Sequence, residues 1–206
     1  SALPELADSQ RVVPFEQLSL AVCARRSVRS YKPEAPAADV FDRLLQAARY
    51  APTGCNTRTV HYYAITTPER LARIRELTLA YLKRAVAAEP ERLGRFAGIV
   101  RAGEKGLPTP NVIGSPALPL VVATGVTKDA HIAATTVSLL APSLGLATCW
   151  LGAFDVDHTM ELLGLRDKSS EEPVAVIALG YEEAPPDKAP ARPRKRRRVD
   201  IVWPTK

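Results

Sequence analysis

Three arginines and a serine fall within five residues, Arg25-Arg26-Ser27-Val28-Arg29. A phosphate dianion asks for this chemistry, because guanidinium forks bind its oxygens bidentately and a hydroxyl completes the shell. The competing reading is a solvated helix end, the commoner setting for an arginine-rich run. A second basic run, Arg192-Pro193-Arg194-Lys195-Arg196-Arg197-Arg198, has two readings of its own. It binds nucleic acid or directs nuclear import, or it forms an arm that carries cations to a phosphate elsewhere in the molecule. Cys23, Cys55 and Cys149 lie far apart and form no CxxC pair, so neither a zinc knuckle nor a disulfide framework is expected. Cys149 sits in an apolar run and reads as core, while Cys55 sits in a turn-like stretch beside Gly54. His61, His131 and His158 are not paired at metal-ligand spacing, and metal catalysis is not expected.

The elements that must position these residues fit one domain of 206 residues, with 46% hydrophobic and 24% charged side chains. The charge is unevenly placed. The net +6 belongs to residues 185–206, where eight basic side chains face Asp187 and Asp200, and the rest of the chain balances at 20 basic and 20 acidic. Pro185, Pro186, Pro190 and Pro193 make that tail extended and non-helical at its start. Val199, Ile201, Val202 and Trp203 after it suggest a strand that docks. The organisation expected is an N-terminal extension over 1–13, a domain over 14–184 and a basic arm over 185–206. No apolar run approaches the roughly 20 residues of a membrane helix. Ser1–Gln10 lacks a basic segment followed by an apolar one, so the expected location is the cytoplasm.

Periodicity gives alternating helices and strands. Pro14 opens a helix with Phe15, Leu18 and Val22 on one face, and Lys32-Pro33 breaks the chain after it. Val40, Phe41, Leu44, Leu45 and Ala48 mark a second helix that stops before Pro52-Thr53-Gly54. Val60–Ile65 reads as a strand, and Thr67-Pro68-Glu69 caps a long amphipathic helix with Leu71, Ile74, Leu77 and Leu82 inward. Residues 89–103 look helical, and Leu107–Pro116 is a Pro/Gly-rich loop. Strands are expected over Leu118–Thr124, Leu146–Phe154 and Val174–Leu179, with helices over Asp129–Leu140 and Asp157–Leu163. Such an order argues for an α+β layered fold with a mixed sheet.

Four segments occur in sequence: Arg25–Tyr31, Ala47–Asn56, Ser143–Gly152 and Ile177–Tyr181. Together they resemble the FMN-dependent nitroreductase family, and the resemblance runs from about Phe15 to Trp203. Cys55-Asn56, Ala141-Pro142-Ser143 and Glu104-Lys105-Gly106 resemble the branch that often carries a ferredoxin module; no such module is expected here, since the three cysteines could not ligate a cluster. The resemblance implies a three-layer α+β homodimer with FMN at the subunit interface and a C-terminal arm docking on the partner. It implies ping-pong transfer of reducing equivalents from NAD(P)H to a nitroaromatic, quinone or similar acceptor. Arg25, Arg26, Ser27 and Arg29 would hold phosphate, ribityl chain and pyrimidine edge. Pro52, Thr53, Gly54 and Asn56 would reach the flavin bound mainly to the other subunit. Leu151 and Gly152 would present backbone amides near the ring, and Arg194, Lys195 and Arg196 would complete the phosphate clamp. No side-chain acid or base is required, because the flavin carries the chemistry.

The chain departs from that pattern at Thr57-Arg58-Thr59, where the family continues from asparagine with a glutamine-proline pair. Arg58 stands near the flavin or acceptor mouth, or faces solvent. Trp150 and Phe154 line the acceptor pocket, or belong to the core as strand aromatics do. Two other functions fit the same sequence. One keeps the fold and FMN, with electrons from a separate ferredoxin, or works in flavin processing or reductive dehalogenation. The other is nucleic-acid binding through the tail, against which stands the neutrality of the domain itself.

Overall fold

The computed structural model describes residues 13–106 and 118–183. Helix α1 (Phe15–Ala24) leads, followed by α2 (Ala38–Ala48) and strand β1 (His61–Ala64). Next come α3 (Pro68–Ala88), the short α4 (Pro90–Leu93) and α5 (Ala97–Glu104). The second half runs β2 (Leu118–Thr124), α6 (Thr127–Leu140), β3 (Ala147–Leu151), α7 (Val156–Leu163) and β4 (Glu172–Gly180). The expected loop over Leu107–Pro116 and the whole C-terminal arm lie outside the described residues.

The sheet has the order β1-β2-β4-β3, and all three pairings are antiparallel. Among the described residues, the parallel component is confined to an isolated bridge between Ser27 and Thr148. Strand β4 is the spine. Its side chains alternate between two helical layers, as a period of two requires. Ala175, Ile177 and Leu179 pack with Phe41, Leu44 and Ala48 of α2 and Ala130, Ala133, Ala134 and Val137 of α6. The small residues of α6 are what allow its backbone to lie close to the sheet. Val176 points the other way, to Ile74 of α3 and to Leu162 and Leu163 of α7. Ala178, also on that face, meets Val28, Tyr31, Ala147 and Cys149. No described helix is long and apolar enough to cross a membrane.

Two expectations change in detail. The strand expected over Leu146–Phe154 ends at Leu151, the last residue paired with β4. Phe154 instead turns into the layer beneath α3 and α7, and Asp155 caps α7 by accepting from the His158 amide at 3.2 Å. Trp150 packs against the α2/α6 layer, and its Nε1 donates to Ser138 Oγ at 2.7 Å. Both aromatics are therefore half-buried against the core. Helix α1 forms as read, but its apolar side chains are not covered: Phe15 is 77% exposed, Leu20 69% and Leu18 56%.

Candidate functional site

The arginine segment is placed by strand-like pairing rather than by a helix end. Helix α1 stops at Arg25, whose amide closes on the Ala21 carbonyl, and the chain then runs extended along the outer edge of β3. Val28 N donates to Thr148 O at 2.9 Å, and Lys32 N donates to Tyr181 O at 2.9 Å. Every third side chain turns inward: Val28 and Tyr31 are buried, while Arg26, Ser27, Arg29 and Ser30 stay exposed. Tyr31 locks the segment by donating its hydroxyl to the Val28 carbonyl at 2.7 Å. Burial holds that phenol above its ordinary pKa. Beneath it, burial pushes the Cys149 thiol up, while the nearby charges of Arg29 and Arg25 pull in the other direction.

The three arginines are not equivalent. Arg26 Nη2 pairs with Glu182 Oε1 at 2.5 Å, and Ser30 Oγ donates to Glu183 Oε2 at 2.6 Å. Arg29 takes no carboxylate partner among the described residues. Leu151 and Gly152 continue the same strand edge past the arginines, and a Cβ built on Gly152 would meet nothing within 4 Å. Guanidinium, hydroxyl and open backbone thus line one edge of the sheet, a donor set that fits a phosphate ester with a planar ring beyond it.

The second group of residues lies at the other edge. Pro52, Thr53, Gly54 and Asn56 form the turn that feeds β1, with a short 3-10 segment at Gly54–Asn56. Cys55, Asn56 and Arg58 adopt left-handed φ values of 50°, 55° and 55°. Such backbone costs a residue with a side chain roughly 1–2 kcal/mol. Hydrogen bonds hold it. Gly54 N donates to both carboxylate oxygens of Asp129 at 3.1 Å, and Arg58 N donates to Thr53 Oγ1 at 3.1 Å. Arg58 Nε donates to Asn56 Oδ1 at 3.0 Å. Because a guanidinium can only donate, this bond assigns the amide: Oδ1 is the atom toward Arg58, and the NH2 remains as a donor. Asp129 itself is 4% exposed.

A cavity of about 1040 Å³ opens beside this turn, lined by Pro52, Thr53, Asn56, Arg58, Arg49, Tyr50, His61, Tyr62 and Tyr63 among others. At its β1 wall, Glu171 Oε1 accepts from the Tyr63 hydroxyl at 2.5 Å and lies 2.6 Å from His61 Nδ1. Burial, then the Glu171 carboxylate, pushes the Tyr63 phenol up to about 12. On the other face of β1, Tyr62 donates to the Ala48 carbonyl at 3.2 Å, and burial raises its phenol to about 12 as well.

The structure therefore brings Arg25, Arg26, Ser27 and Arg29 together with the β3 end that carries Leu151 and Gly152. It brings Pro52, Thr53, Gly54 and Asn56 together separately. It does not join the two groups in one chain: β1 and β3 are opposite edges of the sheet, three strand spacings or about 14 Å apart. Arg194, Lys195 and Arg196 lie outside the described residues. Sequence reasoning missed Asp129, which looks like any acidic residue in a helix's first turn. It also missed Arg49 and His61, which flank the turn in the chain, and Glu171, which meets His61 and Tyr63 only through the fold.

Comparisons with known proteins give the family and the fold. Residues 22–181 match the model of the Nitroreductase family. A protein of Methanothermobacter thermautotrophicus named "Putative NADH dehydrogenase/NAD(P)H nitroreductase" is 26% identical over 165 residues, 78% of this chain and 75% of its own length. A nitroreductase with bound FMN from Bacteroides fragilis superposes with a TM-score of 0.66 at 22% identity, over 91% of this chain and 99% of that one. An oxidised iodotyrosine deiodinase bound to FMN and 3-iodo-L-tyrosine superposes at 0.71 with 20% identity, again over 91% and 99%. The match over residues 22–181, with both arginine edge and β1 turn inside it, makes this chain a member of the Nitroreductase family.

Proposed function

We propose that the protein is an FMN-dependent oxidoreductase that passes reducing equivalents from NAD(P)H to a small acceptor such as a nitroaromatic or a quinone, in two half-reactions at one site. What supports this reading is that the two residue groups which the resemblance assigns to one site lie at opposite edges of one sheet. A second copy of the chain resolves it, because the β1 turn of one subunit then faces the arginine edge of the other. The uncovered Phe15, Leu18 and Leu20 of α1 supply apolar surface for such a homodimer.

When bound, FMN supplies the ring that takes and returns the reducing equivalents. The chain's own residues bind and orient. Arg25, Arg29 and the Ser27 hydroxyl hold the phosphate dianion, and the Arg26–Glu182 pair stiffens the segment that carries them. Asn56 presents its NH2 to an acceptor atom, since Arg58 occupies its carbonyl oxygen. Leu151 and Gly152 bring backbone amides to the ring, where charge that develops during reduction is stabilised by fixed donors.

The arm over 185–206 extends this reading. Its residues Arg194, Lys195 and Arg196 complete the phosphate clamp, and the apolar stretch 199–203 pairs with a partner subunit. Strand β1 is the open edge for it, since β3 is already bridged by Ser27 while β1 pairs only with β2 among the described residues. In this organisation residues 1–13 form an extension and 14–184 the FMN-binding domain.

The test is an absorbance spectrum of the purified full chain, with released chromophore identified by mass. Oxidised flavin bands and recovered FMN are expected. A colourless protein that refuses added FMN overturns the reading. Reduction rates with NADH, NADPH and reduced ferredoxin, followed by turnover of a nitroaromatic, a quinone and an iodophenol, then identify donor and acceptor.

A further inference from the structure

The cavity beside the β1 turn has a one-sided wall. It carries Arg49, Arg58 and His61 and three tyrosines, and no carboxylate is among its described lining residues, Glu171 sitting behind His61 and Tyr63. The nearest acidic groups are engaged elsewhere. Asp129 is buried behind the turn on the Gly54 amide, and Glu171 is held by His61 and Tyr63. That leaves the guanidinium charges of Arg49 and Arg58 at the mouth. Arg49 donates only to Gln46 and Arg58 only to Asn56 and, through its backbone, to Thr53, so neither charge is neutralised among the described residues. This excess stands out because residues 1–184 balance at 20 basic and 20 acidic side chains. Tyr50, 78% exposed at the same mouth, offers an aromatic face with nothing on it.

The geometry points to selection of an aromatic anion, a planar ring bearing a carboxylate or comparable acid, as the acceptor taken at this site. Arg58 is the specificity-determining residue. The inference rests on the proposed flavin reading, and it adds the acceptor's charge. Two features make Arg58 suited to the role. Its backbone and its Nε are both tied down, so the two Nη groups are presented from a fixed stem and lose little freedom on binding. It also stands beside Asn56, whose NH2 calls for an acceptor atom on the bound ring. A wall of cations in a neutral body concentrates anions at the mouth, and an aromatic face next to a guanidinium favours a ring that carries the charge.

The experiment uses the holoenzyme, with flavin content measured first. The oxidised protein is titrated with benzoate and with benzamide while the flavin difference spectrum is followed. Values of kcat/KM are then compared for 4-nitrobenzoate and 4-nitrobenzamide with each nicotinamide. The wild type is expected to favour both carboxylates by about five- to tenfold, an advantage that shrinks as salt is raised. Arg58→Gln, which restores the family residue, brings the preference to within about twofold of unity, and Arg49→Gln lowers it by less. Equal affinity for benzoate and benzamide in the wild type overturns the inference, as does an unchanged preference in Arg58→Gln. FMN loss from Arg58→Gln with the acceptor preference intact overturns it in favour of the cofactor's own phosphate. A shift confined to the NADPH-over-NADH preference overturns it in favour of the donor's phosphate. A wild-type protein without flavin fails the proposed function instead. Calorimetry of benzoate against benzamide on that protein then decides the cavity's charge preference by itself, and equal binding overturns it.

Discussion

At the β3 edge, residues 27–31 are tied by backbone bonds at two isolated bridges, Ser27 to Thr148 of β3 and Tyr31 to Glu182 just past β4. At the β1 edge, the stretch from Thr53 to Arg58 passes through three left-handed residues and is held by one buried carboxylate and two side-chain bonds. The first region takes most of its shape from backbone bonds, with Arg26–Glu182 and Ser30–Glu183 added, and Arg29 plays no part in holding it. The second takes its shape from its own side chains, so structure and chemistry are coupled there. A substitution of Arg29 in the first should change binding alone. One in the second should change binding and stability together.

The largest expected effect tests that coupling. Asp129→Ala leaves the Gly54 amide without its acceptor and removes a buried charge-assisted bond, so urea denaturation should show a loss of about 2–3 kcal/mol, with FMN affinity falling alongside. Asp129→Asn keeps one acceptor oxygen and should lose less. A variant that keeps full stability would show that the turn holds itself. Next in size, Arg29→Gln should weaken FMN binding by roughly tenfold or more in a fluorescence titration, the scale of one charge-assisted contact. Its stability should change by no more than about 0.5 kcal/mol, as for a surface position. An equal loss of stability would erase the distinction between the regions.

Thiol chemistry sharpens the comparison with less perturbation. Cys55 is exposed in the turn and Cys149 lies buried beneath the arginines, so a thiol reagent should label Cys55 in the native protein and Cys149 only on unfolding. Added FMN should slow the Cys55 reaction. The smallest effect concerns alkaline pH. Burial raises the pKa of Cys149 in the folded state, so the neutral thiol's contribution is fully present below the ordinary value of about 8.5. It is lost as pH rises through the folded value. Urea midpoints should therefore fall on the alkaline side, Cys149→Ala should flatten that fall, and Arg29→Gln should extend it to higher pH, because Arg29 holds the thiol down.

Much of this was legible in the chain because its signals are local. The period of α2 is written in Phe41, Leu44 and Ala48, and all three are buried where that period puts them. The arginine run and the Pro52–Asn56 turn were legible for the same reason, as each is a few consecutive residues. The rest depends on distance along the chain. Asp129 meets Gly54 across 75 positions, and Tyr63 meets Glu171 across 108, with no pattern that couples either pair in advance. Trp150 carried two readings until Ser138 appeared beneath its indole nitrogen. Helix α1 shows a third kind of gap. Its apolar face is plain from Phe15, Leu18 and Val22, but what covers it is not in the described chain.

That uncovered helix has a bearing on how the protein is made. A chain that has folded alone presents Phe15, Leu18 and Leu20 to water. If a second copy is what covers them, the last increment of stability arrives only on encounter, and it scales with how many copies are present. Folding then ends in a second-order step, and newly synthesised chains at low abundance wait longest in their stickiest form. The helix that begins the described structure would be the last to find its place.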